Sequence, residues 1–339
     1  MSSSSDALDL HSLAVLINYE RTSGPVADPR FRYAKLQEVT SNGKFYGLPF
    51  SDKMWDKVPE NHSKRGFLFD RIPPPGDRAD EADLPTNILW PGSGLTATLI
   101  SEQELETIFW EVRGHDGCYQ SISILQELAD LYQPSQPLRV RLHNGTDFIT
   151  PFSTRDILEF TLQGPKQTTM SAVPEQPLHS GPPIHMKSRY TGESTELHHS
   201  VWRFTRPGDE NISAVLDLAS MQFGAAGRGK TGDFFILDNA DGWHDYVETI
   251  ALRCEAVKTS QRITPDNDME RQGWYERVAE RVKTRWNARA VNHWCGLCGK
   301  PDATKCCGRC GQEFYCSEAH SRAAWKHWHK RWCKPTAVN

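Results

Sequence analysis

Cys295-Gly-Leu-Cys298, Cys307-Gly-Arg-Cys310, Cys316-Ser-Glu-Ala-His320 and His329-Lys-Arg-Trp-Cys333 follow one another near the end of a chain of 339 residues, and seven of its nine cysteines lie in this stretch. Zinc in a structural site takes four thiolate or imidazole ligands, and a pair separated by two residues points both side chains at one ion from a single tight turn. Four such pairs supply eight ligands, enough for two tetrahedral zinc sites. Cys306 competes with Cys307, but only Cys307 keeps the two-residue gap to Cys310. The alternative, a disulfide-rich secreted module, lacks a leader peptide to support it.

Between the ligands stand Phe314-Tyr315-Cys316-Ser317, Trp325-Lys326, His329-Lys330 and a final Cys333. With these residues the segment resembles a MYND zinc finger. The resemblance implies a cross-brace, with one zinc held by Cys295, Cys298, Cys316 and His320 and a second by Cys307, Cys310, His329 and Cys333. It also implies protein recognition, because fingers of this family present a shallow groove to proline-rich peptides. Two departures stand out. His320 occupies a position that is usually cysteine, and one extra residue between Trp325 and His329 leaves His327 as a rival ligand.

The remaining composition is that of an ordinary globular protein, 24% charged and 38% apolar. The expected fold class is α+β: a mixed helix and strand body over residues 1–262, a charged connecting helix over 263–294, and the small two-zinc finger over 295–333. Residues 295–339 hold eight Lys/Arg against three Asp/Glu, or +5, which leaves −9 of the total −4 for residues 1–294. Positive charges dispersed around zinc knuckles read as a solvated surface rather than a nucleic-acid contact. Leu13–Ile17 is the longest apolar run near the amino terminus, far short of a membrane span. Only Cys118 and Cys254 lie outside the finger, which suits a reducing compartment. The expectation is an intracellular protein, cytoplasmic or nuclear.

Along the body, apolar spacing predicts a helix over residues 7–19, and Ser101-Glu102-Gln103-Glu104 forms a capping box that opens another, backed by Leu105, Ile108, Phe109 and Val112. A further helix is predicted over 118–132 and a strand over 138–142. Residues 30–91 read as irregular structure with a loop near 73–85, residues 154–162 as a short helix, and the proline-rich 163–197 as a long loop or lid. Residues 200–205 and 214–218 form a hairpin, 234–237 a strand, and 268–292 a helix whose Trp274, Val278, Val282 and Trp286 must pack against something.

Two patterns in the body suggest chemistry. Cys118 stands at a helix amino terminus, where free amides and the helix dipole favour a thiolate, with His199 and Asp217 on paired strands. Antiparallel pairing centred between residues 208 and 209 sets Ser200 opposite Asp217 and His199 opposite Leu218. The order cysteine, histidine, aspartate looks like the transglutaminase-like and papain-like pattern, which implies acyl transfer or hydrolysis at Cys118. Against it, Cys118 also falls on the apolar stripe of its helix, and the adjacent His198 competes with His199. Gly224 to Thr231 satisfies the P-loop expression letter for letter, but a strand follows where a phosphate-binding loop needs a helix, so a glycine-rich surface loop is expected.

Overall fold

In the computed structural model, which describes residues 7–41, 45, 58, 62–72, 81–90, 100–174, 186–264 and 273–335, the carboxylate of Asp9 accepts the Ser12 amide at 3.0 Å and so starts the first helix. That helix, α1 (Leu10–Thr22), follows the short strand β1 (Leu8–Asp9). β2 (Ala34–Thr40) and β3 (Ser63–Arg71) come next, then α2 (Glu102–Arg113), whose cap Ser101 accepts the Glu104 amide as the capping box predicts. α3 (Gly117–Asp130) begins after a break at residues 114–116. β4 (Pro137–Arg141) and β5 (Asp147–Pro151) form a hairpin that β1 joins in parallel.

β6 (Arg155–Pro165) leads into β7 (Gln167–Pro174), and β8 (Met186–Thr191) precedes the long hairpin of β9 (Glu196–Arg206) and β10 (Asp209–Asp217). A 3-10 segment, Ser220–Arg228, leads to β11 (Ile236–Asp238), α4 (Ala240–Ile250), β12 (Ala251–Ser260) and α5 (Trp274–Asn287). The central sheet is antiparallel in the order β11-β10-β9-β6-β12, and a second sheet runs β2-β3-β7-β8. One core joins α1, α3 and α5 to the β9/β10 side of the central sheet. Trp274, Val278, Val282 and Trp286 of α5 pack there, which answers where that stripe is buried. α4 covers a second apolar patch with Trp243, Val247 and Ile250.

Three expectations are corrected. Residues 154–162 are strand rather than helix: β6 is hydrogen-bonded on both edges, to β9 and β12, and that pairing overrides local propensity. Residues 163–197 are not one long loop, since β7 and β8 lie within them. β7 buries Thr168, Thr169 and Ser171 beside Met170 and Val173, so no apolar alternation marks it. Residues 30–91 include β2 and β3 rather than irregular structure alone, and Pro85–Asn87 is a 3-10 turn. The predicted loop near 73–85 falls for residues 73–80 outside the described residues, as do the start of the 268–292 helix and Pro177, Pro182 and Pro183. Among the described residues, no helix is long and apolar enough to cross a membrane.

Candidate metal centre and a cysteine-histidine-aspartate cluster

Two tight knuckles and a short helix assemble the finger. In the first knuckle Gly299 donates its amide to Cys295 O at 2.8 Å, and in the second Gly311 does the same to Cys307 O at 2.8 Å. Both glycines have positive φ, 77° and 63°. At Gly299 a side chain is doubly excluded, because a Cβ there would lie 2.5 Å from Tyr19 Cβ of α1. β13 (Lys305–Cys306) and β14 (Phe314–Tyr315) pair antiparallel on either side of the second knuckle, and α6 (Glu318–Ala324) starts at Ser317, whose hydroxyl accepts the His320 amide. A π turn over Trp325–His329 then leads into α7 (Lys330–Trp332).

This scaffold gathers the sequence-predicted ligand atoms into two groups, Cys295, Cys298, Cys316 and His320 in one and Cys307, Cys310, His329 and Cys333 in the other, each within 4.8 Å. A tetrahedral zinc with bonds of about 2.3 Å to sulfur and about 2.0 Å to nitrogen needs sulfurs about 3.8 Å apart and sulfur to nitrogen about 3.5 Å. Cys298 and Cys316 Sγ are 3.8 Å apart, as are Cys307 and Cys333 Sγ. Cys295 Sγ to His320 Nδ1 and Cys310 Sγ to His329 Nε2 are both 3.4 Å. The donor chemistry agrees: each group offers three cysteine sulfurs and one imidazole nitrogen, the donor set that zinc takes in structural sites. The two groups fit two zinc ions. His327 lies outside both groups, against Gly232 of the body.

The finger is seated on the body. Cys295, Leu297, Ala303, Tyr315 and Ala324 share an apolar core with residues of α2, β2 and β3. His11 of α1 stacks on Trp328 with centroids 4.1 Å apart. Glu106 of α2 meets His320 Nε2 with Oε1 at 3.2 Å and Arg228 Nη2 with Oε2 at 3.1 Å. A carboxylate behind a metal-binding imidazole fixes its tautomer and ring plane. Glu106 carries no sequence signal for this role.

In the body, Cys118, His199 and Asp217 come together where α3 begins, against the central sheet. The β9/β10 register differs from the centred one by a single residue, because an irregularity between Asp209 and Ser213 sets Leu216 opposite Trp202. Continuing that register puts Asp217 opposite Val201, and His199 lies two residues along on the same face; the centred register would have put His199 and Asp217 on opposite faces. His199 Nε2 and Asp217 Oδ2 are 2.7 Å apart with both side chains fully buried, while His198 is exposed. Burial works against a charge on His199, but Asp217 and then hydrogen bonding with Cys118 push it up to about 10. The Cys118 thiol also donates to His198 O at 3.9 Å. Cys118 is buried yet lies outside the apolar clusters that take up Ile122, Leu125 and Leu128 of the same helix. Asp116, preceding α3, gives no side-chain cap, and the Gly117 amide turns back to Gly114 O at 2.9 Å.

One further residue of this cluster escaped the sequence reading. Gln222 Nε2 is 3.3 Å from His199 Nδ1, and its only mark in sequence is a place five residues after Asp217. The P-loop expression, by contrast, falls across the 3-10 segment and an irregular stretch ahead of β11 with no helix after it, and Lys230 pairs with Asp245 at 2.7 Å in solvent.

No curated protein and no solved structure matches this chain. Residues 295–333 match the family model of the MYND finger, and with two four-ligand groups that fit zinc this segment is a zinc-binding MYND finger.

Proposed function

We propose that the finger is a protein-recognition module that docks a proline-rich peptide, with Cys295, Cys298, Cys316 and His320 holding one zinc and Cys307, Cys310, His329 and Cys333 the other. The observation that carries this reading is an open cleft of about 260 Å³ that borders Cys307 and His329 of the second metal group and is walled by Trp325, Tyr315, Ser321 and Arg322. A half-buried indole with polar neighbours suits a polyproline helix, whose stiff backbone loses little entropy on binding and whose rings pack on aromatic faces. The +5 charge of residues 295–339 favours acidic residues flanking the prolines. The test is a fluorescence titration of zinc-loaded protein with synthetic proline-rich peptides bearing acidic flanks. Saturable binding that Trp325→Ala weakens at least about tenfold, with both zinc ions retained, is expected; peptide binding indifferent to Trp325 overturns the reading.

A second reading is favoured by the 2.7 Å contact between His199 and Asp217 beside Cys118. In it, Cys118 passes its proton to His199 Nδ1 and attacks an acyl carbonyl; the proton then goes to the leaving group as the acyl bond breaks and a thioester forms. Water or an amine next attacks the thioester, and the thiol is regenerated. Asp217 holds the ring with Nε2 protonated throughout. Iodoacetamide labelling that is fast in the zinc-loaded protein, absent in Cys118→Ala and slowed in His199→Ala supports this reading. A Cys118 that stays inert up to the unfolding transition removes it.

A further inference from the structure

Gln222 has no task in the acyl-transfer reading, on which this inference rests, yet it touches the one ring nitrogen that reading needs. It is 2% exposed, and its Nε2 lies 3.3 Å from His199 Nδ1. Asp217 occupies Nε2 at 2.7 Å, so Nδ1 is the nitrogen left to trade a proton with Cys118. The approach of the Gln222 backbone is built in: a Cβ on Gly114, in the loop ahead of Cys118, would lie 2.8 Å from the Gln222 backbone nitrogen. Only a glycine lets the two segments close to that distance.

A primary amide offers both a donor and an acceptor. Its N–H satisfies an unprotonated Nδ1 when the thiol keeps the proton and turns to the His198 carbonyl, and its carbonyl satisfies Nδ1–H after a half turn when the imidazole holds it. Other ionisable groups set the surrounding field: Arg21 of α1 acts on both Asp217 and Cys118, Tyr119 faces Cys118, and Tyr246 of α4 faces Asp217. Gln222 contributes a side-chain contact to Nδ1 itself, at 3.3 Å. We propose that Gln222 is a positioning residue of the Cys118 site, whose side-chain amide caps His199 Nδ1 and governs whether the thiol or the imidazole holds their shared proton.

The test compares two near-isosteric variants of the zinc-loaded full chain. Thiolate formation at Cys118 is followed across pH by ultraviolet absorbance, each protein being read against its own Cys118→Ala counterpart so that zinc-bound sulfurs cancel. Gln222→Met removes the donor that favours unprotonated Nδ1, so the midpoint falls by about 0.7 pH units, the equivalent of one hydrogen bond of about 1 kcal/mol. Gln222→Glu removes the same donor and adds an acceptor for Nδ1–H, which holds the shared proton on the imidazole, so the midpoint falls as well. A lowered midpoint in both variants bears the proposal out. A merely structural Gln222 lowers the melting temperature but leaves the midpoint in place, and an unchanged or raised midpoint overturns the proposal. Should the Met variant not fold, an unchanged or raised midpoint in Gln222→Glu is sufficient to overturn it. If the parent shows no thiolate signal that depends on His199, the acyl-transfer reading falls as well, a pattern distinct from a failure of Gln222 alone.

Discussion

Removing the Glu106 carboxylate tests whether the body tunes the finger's first metal site. Glu106 accepts from His320 Nε2 at 3.2 Å and, through its other oxygen, from Arg228 at 3.1 Å, with both members of the latter pair less than one-fifth exposed. Loss of a carboxylate behind a metal-bound histidine weakens metal binding by about 10- to 100-fold, or about 1.4 to 2.8 kcal/mol. Glu106→Ala is therefore expected to lower zinc affinity by that factor at the Cys295, Cys298, Cys316 and His320 group and to leave the other group unchanged. A competitive titration against a chromophoric chelator resolves the two sites. The decisive control is His320→Cys, which keeps four zinc ligands but has no second atom for Glu106 to bind. In that background Glu106→Ala should cost nothing further at the metal, so the cycle returns a coupling as large as the single-variant loss. A loss spread equally over both sites, or one that persists in the His320→Cys background, would refute the argument and reduce Glu106 to a general stabiliser of α2.

Three further outcomes follow from the same geometry. His329→Ala should leave one zinc per chain by native mass spectrometry and His327→Ala two, since His329 Nε2 faces Cys310 Sγ at 3.4 Å. Burial pushes Glu111 up to about 7 against the pull of Arg65; a carboxyl raised in the folded state contributes stability below its ordinary 4.5 that is lost as pH rises through about 7. Melts at pH 5 and pH 8 should therefore differ less for Glu111→Gln than for the parent. His199, whose burial is outweighed by Asp217 and Cys118, is raised from 6.5 to about 10; its contribution is complete below pH 6.5 and lost as pH climbs through 10, and His199→Gln should flatten that decline in chemical denaturation.

What could be read from the sequence was what local chemistry specifies. Metal ligands come in short spacings because one turn must aim two side chains at one ion, so the eight donors stand out without an alignment. Ser101 and Glu104 mark a helix start because the cap is satisfied within four residues. β6 and β7 were hidden because partners far along the chain make them strands: β6 takes its hydrogen bonds from β9 and β12, and β7 sits between β3 and β8 with buried threonines that no periodicity reveals. The same distinction divides the cysteine cluster. The order of Cys118, His199 and Asp217 was visible, whereas the choice of His199 over His198 depended on a one-residue irregularity in β10 that no local motif announces.

Both departures of the finger from the family pattern fall where it meets the body, and each has a physical reason there. A cysteine has one donor atom and zinc consumes it; an imidazole that binds through Nδ1 keeps Nε2 free, and at residue 320 that second nitrogen reaches Glu106 of α2. The extra residue between Trp325 and His329 poses a different difficulty, since one more residue in an α-helix rotates everything after it by about 100° and would carry His329 away from Cys310. The chain absorbs it as a π turn over Trp325–His329, which widens locally and keeps the later residues in phase. His329 stays at the metal group, and the same turn sets Trp328 on His11 and His327 against Gly232. A finger free of the body would need neither device, so the two irregularities that weaken the family resemblance in sequence are the ones that fasten this finger to its own body.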